Sequence, residues 1–402
     1  MMRRPSLLAL RSSLFILLLL SIAPVPLVHA QSTIVVDSTA VVHTFGGQMI
    51  FTLAAHSGAG ITEAALLVRV GADSRTDVTE AEFTPGPRIE TQVTRDLQAQ
   101  PIPPFATVVY SWRLTDSAGQ TLTTPEQTYL YEDNRFSWKS VVRGPIHAHR
   151  HSGDFAFGQS IADIGYEALD RASRLMDAAQ PETVDIYVYE KLDDLQAGLQ
   201  LGGRTWVAGH ADPSLGVVLV YSSPDPIGLL ELENTLSHEL THVMVYQIVG
   251  PGYSRMPAWL DEGLATNSEL RPSPTYADAL TQATKAEALL PLESLCGSFG
   301  VDGSRIILSY AQSASVVRYI RDRWGPSAIG GLLAAYRDGA SCQGGVQRVL
   351  NVSLAELQAD WESEVLRASP LLNFLRSLLP YLLVFGPVAI ILAALLFVPK
   401  RK

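Results

Sequence analysis

Two histidines four residues apart, with an acid beside the first, stand in the string His238-Glu239-Leu240-Thr241-His242. On a helix that spacing turns the second imidazole only about 40° from the first, so both can reach one cation. Neutral imidazoles as ligands, an open coordination position and a carboxylate that takes a proton from water are what a zinc hydrolase needs. Glu239 stands where that general base belongs. A three-ligand site requires one more donor, and Trp259-Leu260-Asp261-Glu262-Gly263-Leu264-Ala265 supplies Glu262, 20 residues after His242. The interval lets the chain leave one helix, turn through Gly250-Pro251-Gly252 and return on a second. In the alternative reading the histidines only pack and hydrogen-bond, and Glu262 is a solvated charge.

The surrounding chain has elements to carry these residues. A long helix should start near Gly228, and further helices fit 305–324, 328–336 and 354–366. Upstream, 156–178 sets Ile161, Ile164, Ala168, Ala172 and Leu175 near helical spacing, whereas 184–189, 205–207 and 217–221 read as strands. Strands mixed with helices, then helices alone, describe an α+β domain over 136–370. Before it, short alternating runs at 34–36, 48–53, 64–70, 107–114 and 127–131 are divided by Gly46-Gly47, Ser57-Gly58-Ala59-Gly60 and Asp116-Ser117-Ala118-Gly119. These predict an antiparallel β-sandwich domain over 31–135 that presents or spaces the next one.

The 402 residues are 47% hydrophobic and 17% charged, which suits about two globular domains and excludes disorder as the main theme. Acids outnumber bases by 40 to 30, and six of the bases (Arg3, Arg4, Arg11, Lys400, Arg401, Lys402) sit in terminal segments without acids. The stretch between is therefore strongly acidic, against a nucleic-acid partner held through phosphates. Arg3, Arg4 and Arg11 precede the apolar run 14–20, and Val28-His29-Ala30 closes a secretory signal peptide over 1–30, with cleavage before Gln31. A retained N-terminal anchor is the alternative. Residues 378–398 are 21 without a charge, long enough at about 1.5 Å each for a transmembrane helix, here bounded at 377–398. A buried apolar helix is the other reading. The basic tail 399–402 puts the C-terminus in the cytoplasm and the catalytic region outside the cell membrane, a single-pass topology.

At 235–267 the sequence resembles the gluzincin metallopeptidases, whose pattern is HExxH followed on the next helix by WLxEGxA, and it is most similar to the peptidase MA-like proteins of bacteria. A looser likeness in the order of elements runs from about Trp138 to Leu366. The resemblance implies a zincin-like metallopeptidase domain over 136–370 that holds one zinc ion (Zn2+) per chain through His238, His242 and Glu262, with Glu239 as catalytic base and peptides or proteins as substrate. It also implies a tyrosine at the oxyanion from the downstream helix, for which Tyr310 is the candidate; packing against the active-site helix is the other reading. The aminopeptidase branch carries a GAMEN-like strand motif before HExxH. The edge-strand candidate 215–222 lacks it, which favours an endopeptidase.

Weaker features remain open. His210 is a loop histidine that could aid the oxyanion or simply face solvent. His147, His149 and His151 alternate and would share one strand face, as a second metal site or, with no acid or cysteine in the same stretch, as a solvated face. Cys296 and Cys342 are too few for a disulfide-dense scaffold or a Cys-rich zinc module, and form one disulfide or two free thiols. A catalytically silent surface protein for adhesion or assembly that keeps the zincin fold is the rival function. Its ligands and base standing together favour the enzyme.

Overall fold

The computed structural model describes residues 33–71, 75–201, 209–299 and 303–366. The expected leader over 1–30, the strand at 205–207, the apolar span 377–398 and the tail 399–402 lie outside the described residues. Among those described, no helix is long and apolar enough to cross a membrane.

The N-terminal part holds seven strands: β1 (Val35–Thr44), β2 (Gln48–Val70), β3 (Asp77–Glu80), β4 (Gly86–Asp96), β5 (Thr107–Asp116), β6 (Thr121–Thr123) and β7 (Gln127–Leu130). They form one hydrogen-bonded sheet, not the two separate sheets expected of a sandwich. The runs 48–53 and 64–70, read as two strands parted by a turn, are both portions of β2. Its first half pairs with β1 and β4, and its second with β3 and β5. The pairing with β4 slips between His56 and Ile61, so the glycines that read as a turn mark an irregularity inside a strand. Both halves feed one core, where Phe51 meets Tyr110 edge to face with ring centroids 5.2 Å apart.

A mixed α+β unit follows. Its strands are β8 (Lys139–Arg143), β9 (Ile146–Arg150), β10 (Val184–Tyr189), β11 (Gly209–Asp212) and β12 (Val217–Tyr221), in the spatial order β11-β12-β10-β9-β8. Strand β10 runs parallel to β9 and β12, whereas β11 and β8 pair antiparallel to their neighbours. Its helices are α1 (Phe155–Met176), α2 (Leu192–Leu201), α3 (Pro226–Val249), α4 (Ala258–Ser268), α5 (Pro274–Lys285), α6 (Gly303–Trp324), α7 (Pro326–Arg337), α8 (Cys342–Leu350) and α9 (Leu354–Trp361). Helix α1 packs on β8, β9 and α3.

Helix α3 begins where Asp225 accepts hydrogen bonds from the backbone N–H groups of Ile227 and Gly228, with Pro226 preset for the first turn. Leu232, Leu236, Leu240 and Val243 recur at helical spacing and are fully enclosed. Each such side chain stabilises by roughly 1.5–3 kcal/mol, which fixes this side of α3 against the core. The two parts of the chain are joined by packing as well as by sequence. Phe105 stacks on Tyr187 with centroids 3.4 Å apart, and the Tyr189 hydroxyl donates to the buried Asp133 at 3.0 Å. Cys296 and Cys342 are disulfide-bonded.

Candidate metal centre

Helix α3 presents His238, Glu239 and His242; the chain turns through a short 3-10 segment, Gly250–Arg255, and α4 brings Glu262 back against them. Glu262 Oε2 lies 3.3 Å from His238 Nε2 and 3.6 Å from His242 Nε2. That oxygen is buried yet lacks a well-formed hydrogen bond. Two imidazole nitrogens and an orphaned carboxylate oxygen converging on one point fit a cation of zinc type, with three protein donors and one side open. Among the described residues this is the group whose donor atoms all lie within 4.8 Å of one another.

Each histidine is held from behind by a residue the sequence reading missed. Asp261 Oδ1 stands 3.1 Å from His242 Nδ1, and the Tyr253 hydroxyl donates to Asp261 Oδ2 at 2.7 Å. Glu269 Oε1 stands 3.4 Å from His238 Nδ1 and accepts from the Tyr276 hydroxyl at 3.2 Å. Two carboxylate-tyrosine pairs thus point both Nε2 atoms at Glu262. Glu269 follows Glu262 by seven residues, two helical turns, so its face could have been inferred; Tyr253 and Tyr276 carry no such signal.

The charges shift as this crowding requires. Burial would lower the His238 pKa, but Glu262 and Glu269 outweigh it and push it up to about 10. Burial likewise works against His242, which Asp261 and Glu262 push up to about 9. Burial would raise Glu262, yet His242 and His238 hold it below the usual carboxylate range.

Glycine at two positions lets the walls close on the site. An added Cβ at Gly263 would lie 2.7 Å from the Ser313 carbonyl oxygen, so α4 can lie directly on α6. One at Gly209 would lie 2.6 Å from Thr235 Cγ2 and 3.2 Å from Glu239 Oε1. The edge strand beside the HExxH helix is therefore β11 and not 215–222, which holds the inner strand β12. Gly209 and Ala211 face the helices, and by strand alternation His210 projects to the opposite face, away from Glu239.

Tyr310 on α6 stands edge-on to His238, ring centroids 5.9 Å apart, and against Phe299 at 5.5 Å. Burial, then Glu262 and Glu239, raise its pKa, so the phenol keeps its proton at neutral pH. It lines a cleft of about 440 Å³ together with Glu262, Met256, Phe299 and Ile306. The structure keeps the other histidine cluster apart from this site. His151 stacks on Phe136, while His147 and His149 meet Asp185 across the strands, an acid absent from their own stretch of sequence.

A family model described as the Peptidase MA superfamily matches residues 164–367. No curated protein matches the chain. Among solved structures, an M1 zinc metallopeptidase from Deinococcus radiodurans is 14% identical, with 78% of this chain and 89% of that one covered at a TM-score of 0.33. An aminopeptidase N family protein from Idiomarina loihiensis is 8% identical, with 82% of this chain and 76% of that one covered at a TM-score of 0.41.

Proposed function

The chain belongs to the Peptidase MA superfamily, and from that premise we propose that it is a membrane-anchored zinc endopeptidase working outside the cell. The observation that carries the reading is the buried Glu262 Oε2, without a well-formed hydrogen bond and facing two histidine nitrogens, with Glu239 against β11, the edge strand among the described residues. His238, His242 and Glu262 hold the zinc, which when bound supplies a Lewis acid that polarises a carbonyl and acidifies water.

The rest falls to the chain itself. Glu239 takes the proton from the attacking water and passes it to the leaving nitrogen. The Tyr310 phenol donates to the carbonyl oxygen as negative charge develops there. An extended substrate pairs with β11, the edge strand of this sheet among the described residues, which brings its backbone alongside Glu239. Within β11 the only acid is Asp212, at the end away from Gly209 and bonded to Ser214, so no strand carboxylate is aimed at a substrate amino terminus. That supports cleavage within chains over removal of terminal residues.

The apolar run 378–398 and its basic tail are the anchor, with the C-terminus inside. The Cys296–Cys342 bond supports an oxidising compartment for the catalytic part. The N-terminal sheet presents or spaces the catalytic part. Zinc content and cleavage of an unfolded protein substrate, measured together on the full-length chain, test the reading: a stoichiometric metal with internal cleavage supports it, and a folded, zinc-loaded chain without cleavage refutes it.

A further inference from the structure

On the face of the second sheet turned away from α1, three strands bring together side chains that the peptidase reading does not use. His147 and His149 on β9 lie on the same face as Asp185 on β10, because the parallel register sets Asp185 beside His147 and Tyr187 beside His149. His149 Nε2 lies 2.7 Å from Asp185 Oδ1, and His147 Nδ1 lies 3.6 Å from that same oxygen. The other nitrogen of His149, Nδ1, meets Ser140 Oγ on β8 at 2.8 Å. Its ring is stacked on Tyr187, centroids 4.3 Å apart and planes at 11°. His149 is thus fixed in plane and direction, while His147 and Asp185 remain 38% and 33% exposed.

We propose that His147, His149 and Asp185 form a second, exchangeable site for a divalent ion of the borderline class that takes imidazole and carboxylate together, such as Zn2+, Cu2+ or Ni2+. Two imidazoles two residues apart on a strand reach the same side, and the acid across the ladder adds a negative oxygen between them. When the ion takes the Nε2 lone pair of His149, the ring proton sits on Nδ1 and is donated to Ser140 Oγ. That serine already occupies the position that orients a metal-bound imidazole. Unlike the group on α3 and α4, this set is complete only once the exposed His147 ring swings toward Asp185. It therefore binds more weakly than the peptidase centre and independently of it.

The test is equilibrium dialysis of the full-length chain against Zn2+, followed by Cu2+ with electron paramagnetic resonance to count coordinated imidazole nitrogens. The expected result is two ions per chain, the weaker with two imidazoles. His147→Ala and Asp185→Asn should each weaken that ion by roughly tenfold or more, as loss of a ligand or its support does, and leave peptide cleavage intact. His242→Ala should leave the weaker ion in place, which separates this proposal from the peptidase reading. His147 is exposed, so its replacement is not expected to disturb folding. A single ion per chain, or a second ion that survives the His147→Ala/Asp185→Asn double substitution, would overturn it.

Discussion

Gly209 lies so close to Glu239 that a single added carbon would stand 3.2 Å from the carboxylate oxygen Oε1. The edge of the sheet and the proposed general base Glu239 therefore share one wall, and a methyl group there presses on both Thr235 and Glu239. Gly209→Ala should lower turnover by about tenfold to a hundredfold, as small misplacements of a reacting group do, while zinc content stays at the wild-type level. Kinetics with metal analysis checks this, and equal turnover in the variant would remove β11 from the site.

The Asp261 and Tyr253 pair makes a different demand. Asp261 holds His242 through Nδ1, so Asp261→Ala should weaken zinc binding by about tenfold to a hundredfold. Tyr253→Phe should have the same direction and a smaller effect, since it leaves the carboxylate in place. Competition against a chromophoric chelator gives both constants, and unchanged affinities would show that Asp261 only packs.

Tyr310 is a claim about the reaction and not about the metal. Tyr310→Phe keeps the ring contacts with His238 and Phe299 and removes only the hydroxyl. The expected outcome is a fall in kcat of about 10²–10³, the usual loss of one oxyanion donor, with KM and zinc affinity little changed. A variant as fast as wild type would assign Tyr310 to packing.

For topology, protease added to intact cells should release the catalytic part, because the basic residues Lys400, Arg401 and Lys402 favour the cytoplasmic side. Protection until the cells are lysed would reverse the orientation.

The histidine pair was legible because helix geometry ties the spacing of His238 and His242 to one direction, whereas Glu262, on another helix, was named from the Trp259-Leu260-Asp261-Glu262-Gly263-Leu264-Ala265 segment and the resemblance it carries. A helix was expected near Gly228, close to the observed start of α3, but its Asp225 cap and Pro226 were not read from the sequence. The edge strand did not: Gly209-His210-Ala211-Asp212 has no β-branched or aromatic residue, and its position is set by pairing with β12. Sequence alone split β2 at its glycines, because a strand that changes partners midway looks locally like two strands and a turn. Strand β4 was overlooked since its polar residues hide the alternation of Ile89 and Val93, the two positions that reach the core. Asp185 was missed as a companion of His149 for a similar reason: contacts across a ladder leave no trace in local spacing.

The central claim is that Glu239 moves the proton and does not hold the metal. Glu239→Gln preserves shape and removes the basic oxygen, so cleavage should fall by about 10²–10⁴, the worth of a positioned general base. Zinc content, measured on the same preparation, should remain that of the wild type. Cleavage at the wild-type rate with zinc retained would contradict the account, and so would loss of the zinc itself.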